Sequence, residues 1–485
     1  MAFRDIQEFA AALEERGWLR RIKTRVSPIL EITEIADRVM KQPGGGPALL
    51  FENVEGSPYP VLINAFGSME RMCLALGVER LDQIGDEIRS LMELPSPGTG
   101  LLDKLGAGLK LVEAVRHTVP RVVSRAPCQE VVEEEPDLSR LPILQCWPQD
   151  AGRFITLPLV FTKDPRTGVK NIGMYRMQVY DARTTGMHWH KHKVGQQHAD
   201  RGREAGLRRL EAAVALGADP ATIYAATAPL PPQVPELAFA GFLRKQPVEV
   251  VKCRTVDLEV PAHAEFVLEG YVDLDETRVE GPFGDHTGFY SPAEPYPVFH
   301  VTTITRKRNP VYPATIVGRP PMEDFYLGKA TERIFLPLMQ AVLPEIVDVN
   351  MPAEGVFHNC VLVRMKKRYP GHARKVAYGL WGMGLMMLAK CIVLVDDDCD
   401  VQNLSETAWR VLANIDPERD VFFARGPADD LEHASPAWRY GSKMGIDATR
   451  KLPEEGHPRP WPDDIVMSPE IKALVDRRWR EYGID

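Results

Sequence analysis

The chain has 485 residues, a net charge of −8 and a pI near 5.9, so no global basic field exists to draw nucleic acid. That length calls for two or three domains with ample apolar core. The seven cysteines (73, 128, 146, 253, 360, 391 and 399) are odd in number and form no Cys-x-x-Cys pair, which suits a reduced cytoplasmic protein better than a disulfide framework or a zinc ribbon.

The N-terminus does not read as a targeting signal. Met1 to Ile22 carries Asp5, Glu8, Glu14, Glu15 and four arginines, which leaves no apolar signal core. The longest strongly apolar stretch, Gly379 to Ala389, is about half of what a membrane span needs. Any membrane contact is expected to be peripheral. The short basic runs Arg20-Arg21 and Lys366-Lys367-Arg368 read as solvated faces.

In chain order, the first third predicts a small α/β unit. Phe3, Ile6, Phe9 and Leu13 recur at helical spacing, with Gly17 at the C′ position. Ser27-Pro28 predicts the cap of a second helix carrying Ile32, Ile35 and Val39, broken by the Pro-Gly-Gly-Gly-Pro run at 43–47. Ala48 to Val54 and Tyr59 to Ala65 read as buried strands. Ser68 predicts the cap of a helix ending at Gly77. Residues 94–108 are loop-like and suggest a boundary region.

From about Pro127 to Arg308 the texture changes. Short β-branched and aromatic runs alternate with Pro, Gly and Asp turns: Phe154 to Thr162, Val248 to Lys252, Phe266 to Leu274 and Val298 to Thr305. This predicts an antiparallel barrel or sandwich. Leu207, Leu210 and Val214 fit a helix face, while Leu210 to Leu216 fits a strand equally well. Asp219-Pro220 predicts the cap and first turn of a helix. The last third returns to α/β. Phe357 to Met365 and Cys391 to Val395 are strand candidates, and helical patterns run from Ala373 to Leu388 and from Ser405 to Ile415.

Several constellations could carry chemistry. The most informative is Glu280-Gly-Pro-Phe-Gly-Asp285-His286-Thr287-Gly288. Its Gly and Pro residues punctuate a tight turn. Such a turn can hold two carboxyl groups close enough for one to have its pKa raised and serve as an acid. A second is His188-Trp-His190-Lys-His192, with His198 nearby. Taken alone it reads either as a metal site or as a polar loop with one useful histidine. The acidic run Asp396-Asp397-Asp398-Cys399-Asp400 reads as a charged turn capping the next helix, with metal binding the lesser alternative.

Taken in order, Asn171-Ile-Gly-Met-Tyr-Arg176-Met-Gln-Val, the cluster around His192, Pro235-Glu236-Leu-Ala-Phe-Ala-Gly241 and the Glu280 turn resemble the UbiD family of reversible decarboxylases that use prenylated FMN. The resemblance runs from the N-terminal helix to about Lys451. It implies an α+β chain: an N-terminal α/β domain (1–118), a central split β-barrel flavin-binding domain (119–320) and a C-terminal α/β and oligomerisation domain (321–485). It also selects strand, then helix, for the ambiguous segment at 207–225.

The resemblance further implies site residues. Asn171, His192 and Glu236 would hold a divalent metal, and such nitrogen and oxygen ligands suit manganese or magnesium. Backbone carbonyls at Ala225, Ala226 and Ala228 would hold potassium, with Glu236 serving both ions. The flavin would contact Asn171, Ile172, Arg176, Lys191, His192, Ala226, Pro229 and Glu236. No Gly-rich phosphate cradle is present, so ions are a sensible substitute. Arg176, Glu280 and Asp285 would form the catalytic network, with Asp285 standing where some members carry glutamate. The lysine that contacts the flavin phosphate in ferulic-acid-type members has no clear counterpart, because Trp381-Gly-Met-Gly384 occupies its neighbourhood. Lys191, Lys193 and Lys390 are the substitutes. The segment Gly441-Ser-Lys-Met-Gly-Ile-Asp-Ala-Thr449 is also family-like, for fold or subunit packing.

The implied activity is non-oxidative decarboxylation of an aromatic or α,β-unsaturated acid. The motif wording lies closer to the quinone-pathway branch, so a 4-hydroxy-3-polyprenylbenzoate-type acid is expected, with a smaller aromatic or heteroaromatic acid as the alternative. A flavin prenyltransferase would supply the cofactor, and a homo-oligomer (dimer or hexamer) is expected. The competing classes are a flavin-dependent oxidoreductase, for which no dinucleotide fingerprint is visible, and a noncatalytic flavin-binding subunit, disfavoured because Arg176 and Glu280 are both present.

Overall fold

The computed structural model describes residues 2–92, 115–190, 193–231 and 234–484. The architecture is α+β. A four-stranded N-terminal sheet runs in the order Leu19–Ile22, Ala48–Phe51, Val61–Ile63 and Tyr312–Pro313, so its last strand comes from far along the chain. Helices Ile6–Glu15 and Glu31–Met40 accompany it. The first helix follows the expected pattern, with Ile6, Phe9 and Leu13 buried and Asp5 accepting from the Glu8 amide. Ser68 caps Met69–Ala75 as its sequence predicts.

The second helix departs from expectation. It starts at Glu31 rather than after Ser27, with no side-chain cap. The Ser27 hydroxyl instead accepts from the Ile29 amide at 3.1 Å, closing a local turn that competes with helix entry.

The central sheet carries the site. Its seven strands are antiparallel, in the order Thr184–Gly186, Glu294–Arg306, Phe266–Glu280, Arg209–Leu216, Pro158–Lys163 and Lys170–Met174, with Val131–Glu133 added beside Glu294–Arg306. Among the described residues the sheet does not close into a barrel. Arg209–Leu216 is a strand, and Asp219 caps the following helix by accepting from the Thr222 amide at 3.1 Å. The two longest strands exceed their sequence patterns. Phe266–Glu280 continues past Leu274 because register shifts after Glu269 and Asp273 let it bend and re-pair with its neighbour.

The helix Glu323–Val342 leads into the C-terminal sheet. Glu323 anchors it: its carboxylate accepts from the Phe66 amide and the Thr315 hydroxyl, both at 2.7 Å. The C-terminal sheet is mixed, in the order Ile346–Asn350, Cys360–Met365, Cys391–Asp396, Tyr440–Asp447 and Val421–Pro427.

Two other expectations change here. The pattern from Ala373 to Leu388 is not one helix but two pieces, His372–Trp381 and Gly384–Leu388, separated by Gly382 and Met383. The acidic run does not cap the next helix. Asn403 does, accepting from the Glu406 amide at 3.2 Å. Asp396 and Asp398 face Arg450 instead, accepting from its amide at 2.8 Å and its guanidinium at 2.6 Å.

Two apolar cores run through the N-terminal and central regions: one from Phe9 and Phe66 to Leu159, Tyr224 and Phe239, which also takes in Phe335 of the helix Glu323–Val342, and one from Ile32 and Phe51 to Phe154, Phe266 and Phe299. A separate core fills the C-terminal sheet. All seven cysteines are free. Among the described residues no helix is long and apolar enough to cross a membrane. The loop reading at 94–108 lies outside the described residues.

Candidate active site

Glu280 is the last residue of the long bent strand, and Arg176 lies between the short strand Met177–Gln178 and Lys170–Met174. The two segments are tied together: the Gln178 side chain accepts from the Gly281 amide at 2.8 Å. Gly281 has φ 93°, and a Cβ there would lie 2.8 Å from the Pro292 carbonyl oxygen. Only glycine turns the chain at this point. Asp150 fixes the far side of the turn by accepting from the Gly284 amide at 2.8 Å.

The structure brings Arg176, Glu280 and Asp285 into one buried cluster. Arg176 Nε donates to Glu280 Oε1 at 3.0 Å, one terminal nitrogen pairs with Asp285, and the other donates to Ser291 Oγ at 3.1 Å. The guanidinium also lies 4.7 Å from the centre of the Phe283 ring. Glu280 is wholly buried at 0% exposure. Its Oε1 takes a second bond from His188 Nδ1 at 2.7 Å, while Oε2 is buried with no partner among the described residues.

Neither carboxyl of the pair is raised, which corrects the expectation drawn from the turn. Burial pushes Glu280 up, but His188 and Arg176 together hold it below the usual range. Burial likewise pushes Asp285 up, and Arg176 and His286 outweigh it, leaving that carboxyl well below its ordinary value. The reason is geometric: Arg176 stands between the two acids, so they do not repel each other directly.

The cluster extends on both sides to the C-terminal region. Asp285 Oδ1 bonds His286 Nδ1 at 2.9 Å, and His286 Nε2 meets His358 Nε2 at 2.8 Å. Asp285 raises His286 against the effect of burial, while burial and His286 lower His358. On the other side, His188 Nε2 meets His190 Nε2 at 2.6 Å, and His190 Nδ1 lies 3.0 Å from Asp430. Arg439 in turn pairs with Asp430. The sequence reading singled out none of His188, His286, Ser291, His358 or Asp430 for a role. His188 and His286 do lie inside quoted motifs. Ser291, His358 and Asp430 have no local signature, because only the tertiary fold delivers them.

A second cluster involves Asn171 and Glu236. Glu236 opens the helix Glu236–Arg244, and its Oε2 accepts from the Ile172 amide at 3.1 Å. Burial pushes its carboxyl up to about 7. Asn171 is buried, and its amide nitrogen has no partner among the described residues. An enclosed carboxylate with no cationic group acting on it is an oxygen ligand that a hard cation would complete. His192 and Lys191 lie outside the described residues. Ala225 and Ala226 are buried at the end of the helix Pro220–Ala225, followed by the partly exposed Ala228 and Pro229.

Other named residues do not join. His198 lies in the helix Val194–Glu204, with its Nδ1 3.0 Å from the Thr162 hydroxyl. Lys390 pairs with Glu432 at 2.6 Å. Burial lowers the Lys193 amine, with Asp429 and Asp430 acting against that shift.

Three family models match the chain: the 3-octaprenyl-4-hydroxybenzoate carboxy-lyase N-terminal domain over residues 10–88, its Rift-related domain over 121–320, and its C-terminal domain over 325–448. An uncharacterized protein of Archaeoglobus fulgidus is 54% identical over 483 residues, covering 99% of each chain. The closed form of vanillic acid decarboxylase from Sedimentibacter hydroxybenzoicus is 28% identical, covers 100% of both chains and superposes with a TM-score of 0.85. An evolved dimeric form of the UbiD-class enzyme HmfF from Pelotomaculum thermopropionicum, in complex with prFMN, is 29% identical, with a TM-score of 0.78, and covers 97% of this chain and 98% of its own.

The electrostatics of the cluster predict a pH signature. In the wild type, Asp285 and Glu280 have depressed folded-state pKa values. Their stabilisation is present above the unfolded carboxylate range near pH ~4 and is lost as pH falls through the folded values. Arg176→Met leaves two buried acids without their cation and should cost about 3–5 kcal/mol at pH 7. Their pKa values should then rise, so the deficit should shrink between pH 7 and 5 as they protonate. Denaturant unfolding at the two pH values checks this; a deficit that stays constant or grows on acidification contradicts it.

Proposed function

The chain belongs to the UbiD family of carboxy-lyases, and from that premise we propose that it decarboxylates an aromatic carboxylic acid reversibly with prenylated FMN. The observation that carries this reading is the fully buried Glu280 held by Arg176, with one carboxylate oxygen left bare. That is the arrangement needed to carry a proton to a carbon shielded from water.

Decarboxylation at an sp² carbon leaves a carbanion that no side chain can delocalise, and prenylated FMN, when bound, supplies that electron sink. The donor set fits its metal and phosphate: Asn171 and Glu236, with His192, would hold manganese or magnesium. Carbonyls at Ala225, Ala226 and Ala228 would hold potassium. Ile172, Arg176, Lys191, Ala226 and Pro229 would line the cofactor. The buried, raised Glu236 carboxyl supports the cation assignment.

The remaining work belongs to the chain. Arg176 orients the substrate carboxylate and keeps Glu280 in place. Asp285 balances the guanidinium charge, so the site does not become a cation trap for the anionic substrate. Glu280 rests ionised, takes up a proton and returns it to the carbon that has lost carbon dioxide. Its complete burial keeps bulk water from it as a competing proton donor.

For the substrate we infer a 4-hydroxy-3-polyprenylbenzoate-type acid of a ubiquinone or menaquinone route. Support comes from the description of the matched family models and from the motif wording. A small aromatic acid outside quinone biosynthesis is the second reading, favoured by the full-length superposition on vanillic acid decarboxylase. We also infer domains at 1–118, 119–320 and 321–485, a cytoplasmic location, and a homo-oligomer whose contacts would cover exposed apolar side chains such as Trp409, Leu412 and Phe423.

Two variants test the assignments. Glu280→Gln keeps the shape and removes the proton carrier. The holoenzyme should lose at least about 100-fold in decarboxylation while its flavin content, read by absorbance, stays near wild type. Turnover close to wild type would assign proton delivery to another group. Glu236→Ala should fold yet lose both bound metal and flavin, measured by elemental analysis and absorbance. Full retention of both contradicts the cation site.

A further inference from the structure

The C-terminal sheet carries sulfur that the candidate active site does not use. Its strands Cys360–Met365 and Cys391–Asp396 run parallel, and Cys360 stands opposite Cys391 in their register. The strand Tyr440–Asp447 pairs on the other side of Cys391–Asp396, and there Met444 stands opposite Cys391. Side chains opposite each other in a parallel ladder leave the sheet on the same face. The packing agrees. Cys360 and Cys391 both rest against the small core of Leu362, Val393 and Val395, as does Ile446, two residues beyond Met444. Three sulfur side chains therefore form a row across three adjacent strands.

The row is within reach of solvent, since Cys360, Cys391 and Met444 are all partly exposed. The two thiols touch, with Cys360 donating to the Cys391 sulfur. The turn Ala353–Gly355 makes room for the first of them: a Cβ at Gly355 would lie 2.5 Å from Cys360 Cβ.

Spacing decides what the pair can hold. A disulfide needs Cβ atoms about 3.5–4.5 Å apart. Adjacent strands lie about 4.7–4.9 Å apart, and opposite Cβ atoms of a parallel pair keep close to that distance. A direct S–S bond would have to draw the strands together. An atom inserted between the sulfurs removes the misfit, because two metal–sulfur bonds of about 2.3 Å each span the gap.

The donor set then selects the metal. Among the described residues no group of three His, Cys, Asp or Glu side chains converges to hold a metal ion. The row therefore offers neither the four ligands of a structural zinc site nor the oxygens that a hard cation needs. Thiolate and thioether are the donors that suit Cu(I).

We propose that Cys360, Cys391 and Met444 form a site for one soft monovalent cation of the Cu(I) type. The two cysteines are the anionic ligands, and the long, flexible Met444 side chain brings a neutral third sulfur. Each S–H bond breaks as an S–Cu bond forms. Two protons leave to solvent and the complex carries one negative charge. No electron moves, because the metal arrives already reduced. The bound ion braces the starts of two strands against a third. Cys360 lies two residues after His358, which meets His286 at 2.8 Å. The brace thus steadies the strand end from which His358 reaches the catalytic cluster. The site uses none of the residues assigned to decarboxylation.

Anaerobic titration of the reduced, full-length protein with Cu(I) held by bicinchoninate tests this. Wild type should take one equivalent from the chelator, with only sulfur in the copper X-ray absorption shell, and its thermal midpoint should rise with the metal. Cys360→Ser and Cys391→Ser should each weaken binding beyond the roughly 10–100-fold that loss of a mere supporting partner costs. Met444→Leu conserves side-chain volume. It should keep the ion with one sulfur fewer and an affinity lower by at least about tenfold. Cys253→Ser changes a different thiol that lies near a second cysteine, Cys128, and should bind as wild type. Wild-type protein that leaves the copper on the chelator overturns the site. So does nitrogen or oxygen in the copper shell, or binding within twofold of wild type in either serine variant of the pair. Loss of binding in Cys253→Ser would move the metal elsewhere and overturns it as well. If a serine variant does not fold, as its metal-free melting curve would reveal, Met444→Leu decides: an unchanged sulfur count and affinity overturn the three-sulfur site. None of these readouts depends on turnover, so they stand whether or not the protein decarboxylates an aromatic acid.

Discussion

Burying the Glu280 carboxylate completely is the constraint from which the rest of the site follows. Removing such a charge from water costs several kcal/mol unless it is paired and hydrogen-bonded. Arg176 and His188 meet that demand on a single oxygen. Arg176 is itself buried, so it needs a second anion, and Asp285 provides it. Ser291 and the face of the Phe283 ring make two further contacts with the guanidinium. The backbone has to comply as well: Gly281 turns where no side chain fits, and Gly186 leaves room beside the acid.

The same chain of contacts joins two regions of the protein. Its ends, His358 and Asp430, belong to the C-terminal region, while its middle lies on the central sheet. Separating the two regions would therefore take His358 from His286 and Asp430 from His190. The crossing contacts of this network are one between two histidines and one between a histidine and an aspartate.

How much of this was legible in the sequence differs by element. Helix identity was readable where burial sets a clean period, as in Ile6–Glu15; at Arg209–Leu216 the pattern fitted helix and strand alike, and only the family resemblance selected the strand. The Glu280 turn announced itself through its glycines and proline. Its electrostatics did not, because the pairing of Glu280 and Asp285 with Arg176 spans about a hundred residues, and local sequence cannot say that a cation will stand between two acids. The acid expected to be raised is therefore held down. The Ser27 cap failed because a hydroxyl can close a tighter local turn as readily as it caps a helix. Leu30 enters the helix at positive φ, and no composition rule anticipates that in a leucine. His358 and Asp430 were invisible, since their partners lie in a different part of the chain.

The central claim is that Glu280 moves a proton between solvent and the carbon that bears the carboxylate. Hydrogen exchange tests it most directly. The holoenzyme is incubated with the decarboxylated product in deuterium oxide, and the label is located by NMR. The account predicts deuterium at the former carboxyl position with the wild type and loss of that exchange in Glu280→Gln. A wild type that decarboxylates its acid in deuterium oxide yet leaves that position unlabelled, or a Glu280→Gln variant that exchanges at the wild-type rate, would contradict it.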